Sequence, residues 1–243
     1  MKICSKSDVG LIRDTNQDAC YFKILSETSA WAVVCDGMGG ANAGGTASFL
    51  TVETIKKEME NFDYINMDEV AVKNFLLAAA SKANRIVFEK ASKEESLKGM
   101  GTTMILLTLL HEVIHIVHAG DSRAYLINKK KIRQLTTDHS IVQDMINRGE
   151  ITQDQAKDHP HKNIITRALG VDTNLEFDYV KVFAKKEAFL LVCTDGLTNQ
   201  VDEQKILETF VKSSHSDEFA ENLIELAKSS GGNDNITVLL ISN

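Results

Sequence analysis

The chain has 243 residues, 43% hydrophobic and 25% charged, with a formal net charge of −7. That composition excludes disordered, collagenous and low-complexity classes, and the acidic balance argues against non-specific binding to nucleic acid or an anionic membrane. A chain this long buries roughly 70–75% of its unfolded surface, so one domain can build its core without staples.

In chain order, residues 19–35 predict two strands, with WAVVC (31–35) a buried apolar one. Residues 44–61 and 68–91 predict helices. In the second, Val70, Val72, Phe75, Leu76, Ala79, Ala83, Ile86 and Val87 recur at three- to four-residue spacing and form an amphipathic stripe. Residues 102–135, rich in Thr, Ile, Val and Leu, predict a β-meander, and residues 140–149 return to helical spacing. Two further strands are expected within 177–193, helices over 202–212 and 216–229, and a last strand in ITVLLIS (236–242). This order favours a layered α+β fold, mostly antiparallel with helices outside, over a βαβ repeat. Residues 137–172 are polar, turn-rich and hold the single proline, Pro160; they read as an inserted flap in one domain spanning 1–243.

Cys4, Cys20, Cys35 and Cys193 form no CxxC pair, which fits neither a zinc knuckle nor a disulfide scaffold. The N-terminal segment lacks an apolar signal region, and no apolar run reaches the ~18–20 residues of a membrane span. A reduced, cytoplasmic protein is therefore expected.

Four aspartates fall at strand ends beside glycine or in glycine-rich turns. Asp36 follows WAVVC and precedes Gly37, and Asp195 follows FLLVCT (189–194) and precedes Gly196. Asp121 follows HIVHAG (115–120), and Asp234 lies in GGNDN (231–235) ahead of the last strand. A rigid sheet presents groups to a ligand at such ends. If the ends meet, the carboxylates cannot all stay ionised without a cation, and an all-oxygen ligand set suits Mg²⁺ or Mn²⁺. Asp-Gly is also a common turn pair, so spacing alone leaves the turn reading standing beside the metal one.

Eight ordered blocks add a resemblance: GLIRDTNQD (10–18), VVCDGMGG (33–40), GMGTTM (99–104), HAGDSRAYLI (118–127), LTTDHS (135–140), ITRALG (165–170), CTDGLTNQV (193–201) and GGNDNITV (231–238). Together they resemble the metal-dependent protein serine/threonine phosphatases of type 2C, in their bacterial branch. The resemblance implies an α-β-β-α sandwich of two antiparallel sheets with a two-metal site, Mn²⁺ or Mg²⁺, at one edge. It implies that Asp36 bridges the metals, that Gly37 offers a backbone carbonyl, and that Asp195 and Asp234 complete the first metal's ligands. Asp18 then lies at the second metal, with Gln17 where some relatives carry a glutamate. Asp121 matches the acid of a third, weaker site shared with Asp195, and Arg13 matches the residue that grips the phosphate, a job suited to a planar guanidinium.

The chemistry agrees with such a set. Phosphate-monoester hydrolysis needs accelerations up to ~10²¹, and one general base supplies only ~10²–10⁴. Paired metals acidify a water and clamp an in-line displacement, and no serine or cysteine elbow suggests a phosphoenzyme. Three positions depart from relatives: Met38 and Ala41 stand where histidines occur, and Thr46 where an acid is usual. The proton donor to the leaving alkoxide is thus a metal-bound water first, or His139 of the flap second.

Other motifs read more plainly. HEVIH (111–115) matches the zinc-protease pattern, but that pattern needs a helix; in a strand, histidines four apart lie ~13 Å from each other. NKKKIR (128–133) reads as a hairpin turn with lysines guarding an edge. Met38, Met100 and Met104 read as packing residues, and Cys35 and Cys193 as inert strand residues. The expected partners are phosphorylated proteins and a cognate serine/threonine kinase, with the chain a monomer. The alternative is a metal-binding regulatory module of the same fold that has lost catalysis.

Overall fold

Continuous burial of residues 29–35, 104–109 and 236–242, on both faces of their strands, and one-sided apolar stripes on the helices sort the chain into four layers. The structure is a computed structural model and describes residues 1–40, 43–184 and 188–242. Its elements are β1 (Lys2–Asp8), β2 (Asp18–Ser26), β3 (Ser29–Met38), α1 (Ala43–Met59), α2 (Glu69–Lys93), β4 (Gly101–Thr102), β5 (Met104–Leu110), β6 (Val113–Ala119), β7 (Arg123–Asn128) and β8 (Lys131–Gln134). There follow α3 (Ile141–Asn147), α4 (Gln153–Lys157), β9 (Asp178–Phe183), β10 (Phe189–Cys193), α5 (Asp195–Thr198), α6 (Glu203–Lys212), α7 (Ser216–Ser229) and β11 (Ile236–Ser242). One sheet runs β1-β11-β10-β7-β8; the other runs β2-β3-β5-β6-β9, with β4 paired to β3. Neighbouring strands are antiparallel in both.

Three packing layers follow. Ala32, Val34, Ile105, Leu107, Ile114 and Ile116 of one sheet meet Ala124, Leu190, Val192, Leu239 and Ile241 of the other. The opposite faces of β3, β5 and β6 carry Trp31, Val33, Leu106 and Val117 against Val52, Ile55, Leu76, Ala79 and Ala83 of α1 and α2. Leu191, Val238 and Leu240 take Ile206, Phe210, Phe219 and Leu223 of α6 and α7. Of the α2 stripe, Val72, Leu76, Ala79, Ala83 and Val87 are buried, Phe75 and Ile86 are half-buried and Val70 is exposed; the first turn is capped by Asp68, whose carboxylate accepts from the Ala71 amide at 2.8 Å.

The strand-rich stretch 102–135 is not one meander. β5 and β6 form a hairpin in one sheet, while β7 and β8 belong to the other; the chain crosses between sheets at residues 120–122. Apolar alternation reports that a face is buried, not which sheet buries it. Strand β1 (KICSKSD) carries too little apolar pattern to announce itself and exists through its seven-residue register with β11. NKKKIR is the β7–β8 turn, in which Asn128 Oδ1 accepts from the amides of Lys130 and Lys131 at 2.8 and 3.0 Å. The flap segment carries α3 and the shorter α4, the latter fixed by a Thr152/Gln155 capping box. Its two arms are joined to each other by one bridge, Ser140 to Ile165, and it returns to the body through another, Thr102 to Leu169. Ala41 lies outside the described residues.

Candidate metal centre and active site

Strand pairing alone brings the first two acids together. Asp18 opens β2 and Asp36 nears the end of β3, and the two are cross-strand partners. Asp195 begins α5, two residues beyond β10, Asp234 stands two residues before β11, and Asp121 lies in the crossing between β6 and β7. One pocket is lined by Arg13, Asp36, Gly37, Asp121, Asp195 and Asp234. Asp18 sits behind Asp36, where its Oδ2 accepts the Thr194 hydroxyl at 2.9 Å. The residues anticipated at the site therefore come together, drawn from both sheets.

The backbone around Asp36 is held from three directions. Its N–H donates to Thr103 Oγ1 at 3.0 Å, and its carbonyl accepts from the Thr103 amide at 2.9 Å and the Thr102 hydroxyl at 2.8 Å. Gly37 has no room for a side chain: a Cβ would stand 2.2 Å from the Gly44 carbonyl oxygen and 2.6 Å from that of Gln17. The turn before Asp121 needs glycine too, because Gly120 has φ +108° and a Cβ there would meet the Thr103 side chain at 2.6 Å.

Crowding and burial raise the acids' proton affinity. The carboxyl of Asp36 is pushed well above the usual range, first by burial and then by Asp18, Asp195, Asp121 and Asp234 around it. Burial likewise raises Asp18, with Asp195 and Asp234 adding to the rise. Asp121 is raised by burial, Asp195 and Asp138, and Asp195 by burial and Asp234. Asp18 Oδ1 and Asp195 Oδ1 are buried with no hydrogen-bond partner. Unsatisfied buried carboxylate oxygens pointing into a ring of like charges are costly, and hard divalent cations satisfy them. The donor set of carboxylates with an adjacent backbone carbonyl fits Mn²⁺ or Mg²⁺.

Arg13 stands at the mouth, 55% exposed, with Nη2 2.8 Å from Asp234 Oδ2. Its loop is stapled by Asn235, whose Oδ1 accepts from the Gln17 amide at 2.8 Å while its Nδ2 donates to the carbonyls of Val9 and Thr15 at 2.9 and 3.0 Å. Several supporting residues were not legible as functional from sequence. Asn199 Nδ2 donates to Asp195 Oδ2 at 2.9 Å, and Thr103 Oγ1 lies 2.7 Å from Ser122 Oγ, tying Asp36 to the Asp121 turn. Asn199, Thr103, Ser122 and Asn235 all fall inside the blocks that carry the acids, which was the available signal. Met38 lines the pocket and Thr46 lies in α1.

His139 is not at the pocket. It is 6% exposed, its Nδ1 accepts from the Gly120 amide at 3.2 Å, and its Nε2 faces Asp178 Oδ2 at 3.3 Å. A side chain pinned this way has no path to a leaving group, so the second choice of proton donor is withdrawn. Asn163 and Ile165 of the flap do line the pocket. HEVIH spans the β5–β6 turn: His111 has φ +56° and His115 Nδ1 lies 2.7 Å from the Tyr179 hydroxyl, so the motif forms no zinc pair. Cys35 and Cys193 are buried, and burial raises both thiols. Among the described residues no helix is long and apolar enough to cross a membrane.

Comparison with known proteins adds independent findings. The sequence model of the family Protein phosphatase 2C matches residues 13–234. The serine/threonine phosphatase stp of Listeria welshimeri is 37% identical over 237 residues, covering 97% of this chain and 93% of that protein. The serine/threonine phosphatase Stp1 from Staphylococcus aureus superposes with a TM-score of 0.94 at 31% identity, covering 100% of this chain and 94% of that one. The catalytic domain of the serine threonine protein phosphatase PstP, solved in complex with two manganese ions, superposes at TM-score 0.84 and 31% identity, covering 98% and 96%.

Proposed function

Because the chain belongs to the protein phosphatase 2C family and is a protein serine/threonine phosphatase, we propose that it uses Mn²⁺ or Mg²⁺ to hydrolyse phosphoserine and phosphothreonine by direct attack of water. The observation that carries this reading is the convergence of Asp36, Asp121, Asp195, Asp234 and Arg13 on one pocket, with carboxylate oxygens left unsatisfied. Asp36, Asp195, Asp234 and the Gly37 carbonyl would hold one ion, Asp36 and Asp18 a second, and Asp121 with Asp195 a weaker third. When bound, such ions neutralise phosphate charge and acidify water.

The chain's own groups do the rest. Arg13 turns from Asp234 to take two phosphate oxygens, a bidentate contact that fixes the phosphorus in line. Its exposed position lets it meet a phosphate on a folded protein's surface. Asn199 holds Asp195, and Thr103 and Ser122 hold the backbone between Asp36 and Asp121, so the carboxylates keep their spacing when protons leave them. The substrates are phosphorylated proteins, and the counterpart is a serine/threonine kinase of the same cytoplasm. The chain acts as a monomeric single domain whose flap borders the pocket.

The test is turnover of para-nitrophenyl phosphate and of a phosphothreonine peptide. Activity should require added Mn²⁺ and vanish after chelation; full activity in chelated protein would refute the metal reading, and no turnover under any metal would refute catalysis itself.

Asp121 makes a separate expectation. One private carboxylate sharing a partner with the first ion should bind weakly, since ligand charge sets much of the affinity. Asp121→Asn should therefore keep tight binding of two Mn²⁺ by calorimetry yet lose most peptide turnover. Normal turnover in that variant would reduce Asp121 to a turn residue.

A further inference from the structure

At the far side of the Asp121 turn lies a second constellation, made of different ligands. His118 on β6 and Asp178 on β9 are cross-strand partners, and His139, at the root of the flap, closes over them. One ligand atom from each of the three lies within 4.8 Å of the others. We propose that His118, His139 and Asp178 form a separate binding site for a divalent transition ion of the zinc class, distinct from the carboxylate cluster.

Three observations carry this. His118 is 1% exposed, yet neither ring nitrogen has a hydrogen-bond partner. A buried imidazole with two idle nitrogens forfeits the full solvation of both, and a metal ion is a partner that repairs it. Second, His118 is kept neutral: burial, helped by the neighbouring His139, lowers it to about 4, and a neutral imidazole is the form that ligates. Third, the set is open on one side. Asp178 is 45% exposed, which gives an ion an entry path and a free coordination position for water. Two imidazoles with one carboxylate suit zinc-class ions, whereas the carboxylates around Asp36 suit Mg²⁺ and Mn²⁺.

Two groups now occupy this space, and they define what binding changes. Arg167 Nη1 holds Asp178 Oδ1 at 2.8 Å. An entering ion takes the place of that guanidinium, which has Glu176 as a second partner, 4.0 Å from its Nη2. His139 Nδ1 accepts from the Gly120 amide, and its Nε2 lies 3.3 Å from Arg167 Nη1 as well as 3.3 Å from Asp178 Oδ2, so the same guanidinium spans both ligands. Ligation through Nε2 takes the neutral ring with its proton on Nδ1, which cannot accept from the Gly120 N–H and so releases it. The rings of His118 and His139 stack with centroids 4.8 Å apart and 8° between planes, so their in-plane lone pairs run parallel and a side-chain rotation must precede ligation of one ion by both.

The experiment titrates Co²⁺ into the protein in excess Mg²⁺, which fills oxygen sites and leaves imidazole alone. The readout is the intense visible absorption of a nitrogen-ligated, low-coordinate Co²⁺, chased by Zn²⁺. Wild type and Asp36→Asn should both take up one equivalent. Outer-sphere changes already cost about 10–100-fold in metal affinity, so His118→Phe and Asp178→Asn, each missing a direct ligand, should lose at least that much. If His118→Phe does not fold, the half-exposed Asp178→Asn decides. The proposal is overturned if wild type shows no such absorption, if Asp178→Asn retains it, or if Asp36→Asn alone removes it.

Discussion

Asp36→Asn is expected to lower kcat by about 10³-fold or more while leaving the fold intact. The substitution keeps shape and removes one charge at the position where β2 and β3 bring Asp18 and Asp36 side by side. Metal-ion charge stabilisation is worth several kcal/mol in such reactions, and each 1.36 kcal/mol is about tenfold in rate. No other residue can stand in, because the backbone of Asp36 is fixed by Thr102 and Thr103 and Gly37 leaves no space for a shift. Single-turnover kinetics on a phosphopeptide at saturating Mn²⁺ makes the measurement. A rate near that of wild type would remove Asp36 from the centre of the mechanism.

The same crowding makes the metal a part of the protein's stability, with a pH dependence of unusual sign. In metal-free protein Asp18, Asp36, Asp121 and Asp195 hold protons more tightly than they would unfolded, where aspartates titrate near about 3.9. Above that value the native state carries more protons than the unfolded chain, so stability falls as pH rises, until the folded-state pKa values have been passed. Metal binding needs the acids deprotonated and grows over the same range. An ion at ~100 times its dissociation constant adds about 2.7 kcal/mol, which for a domain of this size is a rise of about 5–10 °C in midpoint. Thermal unfolding with EDTA and with Mn²⁺ should give midpoints that nearly coincide at pH 5 and separate by pH 8. Asp18→Asn should raise the metal-free midpoint at pH 8 by relieving repulsion. Coincident midpoints at every pH would mean the carboxylates do not act as one site.

Position along the chain already marked most of the elements and the acids. The 3.6-residue stripe of α2, the buried run of β3 and the apolar β11 are local patterns, set by which side chains must leave water. Asp36, Asp195 and Asp234 stood out because a carboxylate at the end of an apolar strand, beside glycine, is a local feature as well. What the tertiary structure decided is where long-range pairing matters. β1 has no apolar signature and is a strand because β11 offers it a full register. The run 102–135 divides between two sheets because both interior faces demand the same side chains, and only packing assigns β7 to β10 rather than to β6. Asp18 and Asp36 are eighteen residues apart in sequence and adjacent only through a hairpin, and Asn235 reaches back across more than two hundred residues to hold the loop of Arg13. His139 shows the same limit from the other side: its motif placed it near the chemistry, but burial against His118 and Gly120 turns it away. Local pattern records how each residue relates to water; which residues meet is settled by sheet register and by the packing of layers, and that is where the site is made.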